Sequence, residues 1–127
     1  MTYNDFYQSD KRVFKNFYNG IFPSLILWII SKEDIHGYGL MKKLNNLFTF
    51  DQYKVNVNSS KIYPILSRME KNGLIVGEWK INENNKSVKF YSITDEGRDF
   101  LKLIQSQIQI VFKNPVWEEF FNEMAGR

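Results

Sequence analysis

Residues 57–73, VNSSKIYPILSRMEKNG, concentrate side chains that can hydrogen-bond to an anionic partner. Apolar residues recur in this stretch at three- and four-residue spacing, which indicates a helix with one buried stripe. Five polar and basic residues fall largely off the stripe and are predicted to face solvent: Ser60, Lys61, Ser67, Arg68 and Lys71. Hydroxyl, ammonium and guanidinium groups are donors that proteins direct at phosphates and base edges, so this helix is the candidate binding element. The stripe consists of Ile62, Ile65, Leu66 and Met69.

Other kinds of chemistry have few residues to support them. The sequence has no cysteine and a single histidine, His36, which excludes disulfides and leaves little from which to build a metal site. No nucleophile with a neighbouring base and orienting group is visible, so an enzyme is the least supported class. No catalytic residue, metal site or cofactor is predicted, and His36 is expected to form a turn or to contact a phosphate.

The charge is distributed unevenly along the 127 residues, whose net charge is +3. Residues 36–92 carry nine basic and four acidic side chains, whereas residues 1–35 are balanced and residues 93–127 carry a net −2. A basic centre between neutral and acidic ends indicates a localised anionic partner, although a lysine-rich solvated surface would give the same pattern.

The length suits one folded domain, or one domain with an appendage, and 43% hydrophobic residues are enough for a core. No apolar run reaches the ~18 residues that a membrane helix needs, and the N-terminus lacks the features of a signal peptide. The protein is therefore expected to be cytoplasmic.

The candidate helix has recognisable ends. Asn58 or Ser59 can cap its first turn, because a short polar side chain accepts a hydrogen bond from a free backbone N–H there. Gly73 is expected to end it in a left-handed conformation. Pro64 removes a backbone hydrogen bond, which a helix tolerates only near its start.

Two strands are predicted to follow, over residues 74–81 and 87–93, joined by a polar turn at residues 82–86. Lys80, Lys86 and Lys89 lie on or beside this ribbon. A single lysine there would be an ordinary solvated charge, but three around one turn favour contact with phosphates.

The segments before the candidate helix are predicted to be mainly helical. Residues 3–19 form an aromatic arm that Gly20 is expected to break, and Pro23 then fits the first turn of a central helix. Residues 36–39 are interpreted as a turn into a second helix, and residues 49–57 as a loop.

The segments after the ribbon are predicted to form a dimer. Thr94 is expected to cap a long helix, and residues 116–124 form a last amphipathic piece. Together with the aromatic arm they hold more apolar surface than a small body can cover, which predicts a two-fold dimer. Trp28 and Trp79 are expected to pack in the core or at a hinge. The residues expected in the dimer are Phe14, Phe17, Ile104, Ile108, Val111, Trp117, Phe120 and Phe121.

Three helices, a two-stranded ribbon and a long final helix define a mainly α winged helix-turn-helix fold with a C-terminal dimerisation helix. The predicted division is an arm at residues 1–20, a DNA-binding domain at residues 21–93 and a dimerisation segment at residues 94–127. A helix of ~10–12 Å diameter fits the ~12 Å major groove, so double-stranded DNA is the predicted partner. For Tyr38 and Tyr63, phosphate contact and a core ring with a wet hydroxyl are both open. The residues predicted to contact DNA are His36, Tyr38, Asn58, Ser59, Ser60, Lys61, Tyr63, Arg68, Lys80, Lys86 and Lys89.

Over roughly residues 21–101 the chain resembles the PadR-like family of transcriptional regulators. The resemblance rests on markers in a specific order and spacing, although each alone is weak. It implies a homodimeric repressor whose third helix and wing contact an inverted-repeat operator and whose C-terminal helix carries the dimer. The markers are the apolar helix ending at Ser31, His36-Gly37-Tyr38, Ile62-Tyr63-Pro64 with Leu66, Arg68 and Glu70, Gly73-Leu74-Ile75, Trp79, and Lys89-Phe90-Tyr91-Ser92-Ile93-Thr94 with Gly97.

The chain departs from the family pattern at two places. Ser59-Ser60-Lys61 stands where the family usually has glycine before the triplet, so the first turn of this helix is expected to dock differently. Some small members of the family hold flat ligands between tryptophans of the helix after the wing. Here that region contains Ile108, and Trp117 lies in a separate segment. A small-molecule effector therefore lacks support in the sequence.

Two alternatives of other classes remain. One is a winged-helix module that binds protein, which would show neither retardation of operator DNA nor salt-dependent binding. The other is a sensor with a hydrophobic effector site, which would bind planar dyes and show quenched tryptophan fluorescence.

Overall fold

The computed structural model describes the backbone of residues 11–47, 49–50, 53–54 and 57–126 and the side chains of residues 20–47 and 57–126. Its helices are α1 (Lys11–Lys32), α2 (Gly37–Leu47), α3 (Ser59–Lys71), α4 (Asp95–Phe112) and α5 (Pro115–Met124). Its strands are β1 (Ile35–His36), β2 (Thr49–Phe50), β3 (Tyr53–Lys54), β4 (Ile75–Ile81) and β5 (Ser87–Ile93).

Helix α1 runs without interruption through Gly20, and Pro23 lies inside it. The predicted break at Gly20 and the placement of Pro23 in a first turn are therefore wrong. Glycine costs about 1 kcal/mol and proline about 3 kcal/mol in a helix interior. The fully buried side chains of Phe22 and Ile26 offset that cost, because each contributes roughly 1.5–3 kcal/mol of burial.

Two short pairings of strands differ from the predicted pattern. Ile35 and His36 pair with Tyr91 and Phe90 of β5, so the segment before α2 belongs to the sheet. Residues 49–57 were predicted to be a loop, but Thr49–Phe50 pairs with Tyr53–Lys54 in a small hairpin. A strand of two residues is too short to show an alternating pattern in the sequence, so periodicity does not predict it. Its position is determined by the strand with which it pairs.

The predicted ribbon is present with nearly the predicted bounds. Its strands β4 and β5 pair antiparallel from Ile75↔Ile93 to Ile81↔Ser87, and β1 extends the sheet to three strands in the order β1-β5-β4. The side chain of Asn82 accepts hydrogen bonds from the amides of Asn84 and Lys86 and so closes the turn. The fold class is confirmed, with a sheet of three strands in place of two.

The core lies between α1, α2, α3 and the sheet. Helix α3 presents Ile62, Leu66 and Met69 to it, as the apolar stripe predicts. Its opposite side is therefore left to solvent. The other buried residues are Phe22, Ile26, Leu27, Ile29, Ile30, Ile35, Leu40, Leu44, Val57, Ile75 and Tyr91.

The terminal helices lie outside this core. Thr94 caps α4 by accepting a hydrogen bond from the Gly97 amide, as predicted, and α4 packs against α1. Asn114 caps α5, which packs back on α4. Within the part of the chain that the structure describes, no helix is long and apolar enough to cross a membrane.

Candidate nucleic-acid interface

One face of α3 is a continuous solvent-exposed ridge. Ser60, Pro64, Ser67 and Lys71 are all exposed, and they recur at three- and four-residue spacing opposite the buried stripe. Residues at that spacing lie above one another on a helix. Ser60 belongs to the predicted site, whereas Ser67 and Lys71 do not. We define these four residues as the α3 ridge.

The N-terminal end of the ridge is held by Asn58. This residue caps α3, and its side-chain oxygen accepts hydrogen bonds from the Lys61 amide at 3.3 Å and from the Ser60 hydroxyl at 2.6 Å. Ser59 is exposed beside them. The first turn is thus ordered within the protein, with the Ser60 hydroxyl committed as a donor and open as an acceptor.

Lys61 points away from the ridge. Its ammonium lies 4.8 Å from the ring centre of Phe22 in α1, the geometry of a cation–π contact. Lys61 is half-buried, unlike Arg68, which is exposed on the same helix. The predicted contact of Lys61 with DNA stays a prediction, and the contact with Phe22 gives the side chain a second role.

The two tyrosines flank the ridge on the side of α2. Tyr38 is 64% exposed, with the Lys42 ammonium 5.8 Å from its ring centre. Tyr63 is 43% exposed, and its ring lies against the backbone of Gly37, where a Cβ atom would be 2.6 Å from the tyrosine hydroxyl oxygen. Gly37 is needed for this close approach. Neither tyrosine is a core ring, and both can present a hydroxyl to solvent.

His36 orders the start of α2. Its Nδ1 accepts a hydrogen bond from the Gly39 amide at 2.9 Å, and its ring packs edge-on against Phe90 at 5.2 Å. An accepting Nδ1 leaves Nε2 as the protonated nitrogen of the neutral ring. The expected turn-forming role is present, and contact with a phosphate stays a prediction.

The wing is formed by β4 and β5, and the three lysines that were predicted to contact DNA from it have different surroundings. Lys80 is exposed, with its ammonium 5.6 Å from the ring centre of Phe90, and Lys86 is exposed in the turn. Lys89 instead donates a hydrogen bond of 2.9 Å to the Glu70 carboxylate at the end of α3. Its contact with DNA stays a prediction, but its ammonium is already paired.

The Glu70–Lys89 pair changes the ionisation of both groups. The hydrogen bond from Lys89 lowers the pKa of Glu70, against an opposing effect of desolvation, and the Gly77 amide adds to the lowering. The hydrogen bond to Glu70 raises the pKa of Lys89. Both side chains are about one-third exposed, so solvent screens the pair.

A cleft of about 400 Å³ lies between the wing, α3 and the start of α2. It brings together several predicted residues, and it also includes Trp79, which is 66% exposed. Trp79 was expected to pack in the core or at a hinge, and the core placement is wrong because every residue of β4 beyond Gly77 is exposed to solvent. The cleft is lined by His36, Gly37, Tyr38, Tyr63, Trp79, Ser87, Val88, Lys89 and Tyr91.

The DNA-binding residues predicted from the sequence do not include Ser67, Lys71 or Glu70. The first two had a signal, since they continue the spacing that starts at Ser60. Glu70 is a marker of the family resemblance, but nothing in the sequence assigned its role, because its partners Gly77 and Lys89 lie on the following strands and only the fold brings them to the carboxylate.

The opposite side of the molecule holds the predicted dimer residues. A groove of about 670 Å³ runs between α1 and α4, and both Ile104 and Ile108 line it. Trp28 also lines it and is half-exposed, so the expectation of a packed core residue is wrong here as well. Phe14 and Phe17 fall in the part of α1 whose side chains lie outside the described residues.

Aromatic rings cluster where α5 returns to α4. The rings of Phe112 and Phe121 stack at 4.8 Å, and Trp117 meets Phe120 edge-on at 6.0 Å. Trp117, Phe120 and Phe121 are nevertheless exposed, whereas Val111 is half-buried. Among the residues with described side chains, no group of three or more His, Cys, Asp or Glu could hold a metal ion.

The chain is similar to known transcriptional regulators. A family model described as the transcriptional regulator PadR-like family matches residues 26–103. The transcriptional regulator YqjI of Escherichia coli (strain K12) is 30% identical over 95 residues, which are 75% of this chain and 42% of that protein. The chain thus spans less than half the length of this curated relative.

Solved structures agree. A PadR-like transcriptional regulator from Bacillus cereus strain ATCC 14579 is 38% identical with a TM-score of 0.62, covering 74% of this chain and 86% of that chain. A PadR family transcriptional regulator from Eggerthella lenta DSM 2243 is 27% identical with a TM-score of 0.68, covering 87% of this chain and 89% of that one.

Proposed function

Because this chain belongs to the PadR-like family of transcriptional regulators, we propose that it binds a double-stranded operator as a homodimer and represses transcription there. The observation that carries the proposal is the α3 ridge, an exposed polar and basic face on a helix whose other face is fixed in the core. The major groove is ~12 Å wide and admits such a helix.

Contacts to the DNA backbone would come from both sides of the ridge. Four predicted residues are exposed and carry hydroxyl or ammonium groups: Tyr38, Tyr63, Lys80 and Lys86. Hydroxyl and ammonium groups are ordinary phosphate donors and set the register of a protein on its duplex. Arg68, exposed on the far flank of α3, adds a further cation.

The dimer would form through the terminal helices. Helices α4 and α5 expose apolar side chains along much of their length, and large apolar patches on a protein mark an interaction surface. A two-fold axis there would place two copies of α3 about one turn of DNA apart, ~34 Å, on an inverted repeat. A regulator of this kind acts on DNA in the cytoplasm, and a homodimer bound at the operator would block transcription.

The groove between α1 and α4 supports a second candidate, an effector site. Trp28 is half-exposed on its wall, with the Lys32 ammonium 5.3 Å from the ring centre. An exposed indole beside apolar side chains suits a planar hydrophobic molecule. Quenching of tryptophan fluorescence by planar dyes, lost in Trp28→Leu, would support this site, and unchanged fluorescence would remove it.

The proposal is tested by equilibrium binding to the DNA directly upstream of the protein's own coding region. Gel retardation that competitor DNA of unrelated sequence does not abolish, and whose affinity falls as salt rises, is the expected result. Equal affinity for all DNA fragments would refute sequence-specific regulation, and no retardation would favour a protein-binding module.

A further inference from the structure

Glu70 is the point where α3 and both strands of the wing meet. One carboxylate oxygen accepts the ammonium of Lys89 at 2.9 Å, and the other accepts the amide of Gly77 at 3.1 Å. Gly77 lies on β4 and Lys89 on β5. A single side chain of α3 therefore holds both strands.

The base of the wing is fixed elsewhere, by backbone contacts. The Leu74 amide donates to the carbonyl of Met69 at 2.9 Å, and the Thr94 amide donates to the carbonyl of Leu74 at 3.1 Å. Gly73 between them adopts a left-handed φ of 77°. Farther out, β1 pairs with Tyr91 and Phe90 of β5. Among the described residues, however, no backbone hydrogen bond joins α3 to β4 beyond Leu74.

The Glu70 carboxylate provides a second attachment farther out. Gly77 lies two residues beyond the start of β4, which corresponds to roughly 7 Å along an extended strand. The pairing with β1 holds β5 to the segment before α2, and the Glu70 carboxylate adds an attachment of both strands to α3 itself. The outer residues of β4 are solvent-exposed, and a two-stranded ribbon has little stability of its own.

Gly77 is part of the same device. A Cβ atom at this position would collide with Cε of Lys89 and lie 2.9 Å from the Glu70 carboxylate. The backbone of β4 thus leaves room for the lysine stem to cross it and reach Glu70. An alanine there would displace the stem without demanding an unusual backbone conformation.

We infer that Glu70 is a positioning residue, which fixes the angle between the wing and α3 through Gly77 and Lys89 and thereby sets the wing on the DNA backbone. The inference rests on the proposed DNA-binding function and deepens it. It assigns Lys89 to the wing's attachment and leaves phosphate contact to the lysines nearer the turn.

The test measures wing position directly in the full chain. Because the sequence has no cysteine, Ser67→Cys and Asn84→Cys introduce the sole sites for two spin labels, one on the α3 ridge and one in the wing turn. Labelled chains diluted with unlabelled chains give one label pair per dimer. Paramagnetic resonance should show a narrow distance distribution in the parent and a broad one in Glu70→Gln, Lys89→Met and Gly77→Ala.

Two matched variants act as controls. Lys89→Arg keeps a cation for Glu70 and should keep the narrow distribution, and Lys86→Met removes a lysine from the same strand region without touching Glu70. Thermal melting shows that each variant is folded. A narrow distribution in all three attachment variants would overturn the inference, even if the protein binds DNA as proposed.

DNA binding gives the second readout. Glu70→Gln and Lys89→Met should reduce operator affinity about tenfold, because the wing must then be ordered on binding, with an unchanged salt slope because no phosphate contact is lost. Lys86→Met should lower the slope by about 1 per subunit. A lowered slope in Lys89→Met would make Lys89 a phosphate contact and contradict its assignment. If no variant and no parent protein binds DNA, the proposed function fails while the label distances still decide the role of Glu70.

Discussion

Three of the residues predicted to contact DNA are hydrogen-bonded within the protein, namely Asn58, His36 and Lys89. Asn58 caps α3, His36 accepts the Gly39 amide, and Lys89 pairs with Glu70. Side chains of the same chemistry therefore divide between those that order the site and those that remain exposed. The exposed group is led by Ser67, Lys71 and Lys86.

Two substitutions of Asn58 distinguish its role as the cap of α3 from a contact with DNA. Asn58→Ala should lower the free energy of unfolding by about 1 kcal/mol, because the first turn of α3 loses its side-chain acceptor. Asn58→Asp should keep that stability, since aspartate caps equally well, yet weaken DNA binding by placing a negative charge beside the backbone phosphates. Urea denaturation and gel retardation measure the two effects. Full DNA affinity in Asn58→Asp would place this residue away from the phosphates.

The Glu70–Lys89 pair predicts how stability depends on pH. The pKa of Glu70 is lowered by Lys89, so its contribution is present above the ordinary value of 4.5 and is lost as pH falls through the lower folded value. The pKa of Lys89 is raised by Glu70, so its contribution is present below 10.5 and is lost as pH rises through the higher folded value. Burial raises the pKa of the neighbouring Tyr91, which therefore stays neutral across most of this window.

Urea denaturation of the parent and Glu70→Gln checks the acidic limit. The parent should be the more stable protein at pH 7, and the difference should shrink steadily below pH 4.5, where the carboxylate becomes protonated. A difference that stays constant down to about pH 3 would show that the charge of Glu70 contributes nothing to folding.

At the scale of elements, the local signals in the sequence were sufficient for most boundaries. The Asn58 and Thr94 caps, the stop at Gly73 and the two long strands are confirmed. Each depends on residues within one turn or one strand. The break at Gly20 was wrong, because burial of α1 against the sheet outweighs the low helix propensity of its glycine and proline.

Long-range contacts could not be predicted from the sequence. The two-residue strand β1 exists only because β5 lies beside it, and Lys89 turns inward only because Glu70 faces it. Lys61 likewise reaches Phe22, which belongs to a different helix far earlier in the chain. The charge of Lys61 and its position near the start of α3 follow from the sequence, but its direction depends on the packing of α1.

The α3 ridge and the wing should differ in what they recognise. Ser60→Ala or Ser67→Ala should change which bases are preferred, by about 1 kcal/mol for each hydrogen bond to a base that is removed, because base edges lie in the major groove. Lys86→Met should weaken binding to all sequences about equally, because phosphates are the same in every sequence. Selection from randomised DNA measures both. If the preferred sequence is unchanged in both serine variants, the protein recognises its operator through the shape of the DNA and not through these hydroxyls.

In the molecule as a whole, α4 and α5 expose apolar surface that would have no partner if the protein were a monomer. Ile108, Ile110 and Val116 are each more than half exposed. Residues 26–103 match the family model, which includes the ridge and wing but stops within α4. The outer half of α4 and all of α5 lie outside this match, as do residues 11–25 of α1.

Substitution of the groove residues should separate the subunits. Ile104→Glu with Ile108→Glu places two charges in the groove between α1 and α4, so the predicted dimer should become a monomer. Light scattering at micromolar concentration measures the mass, and operator affinity should fall with it because half-sites are then bound singly. A parent protein that is already monomeric would end this part of the account. Ser106→Glu, on α4 but outside the groove lining, is the matched control.

Footprinting shows whether the α3 ridge lies in the major groove of an inverted-repeat operator. The parent protein should protect two major-groove segments whose centres lie about 10 base pairs, or a multiple, apart. Ser67→Glu should abolish this protection while leaving the melting temperature unchanged, because its charge would face the DNA and its position is exposed in the free protein. Ser67→Gln, of similar size without the charge, should retain measurable protection. An unaltered footprint with Ser67→Glu would contradict the account and place the DNA on another face.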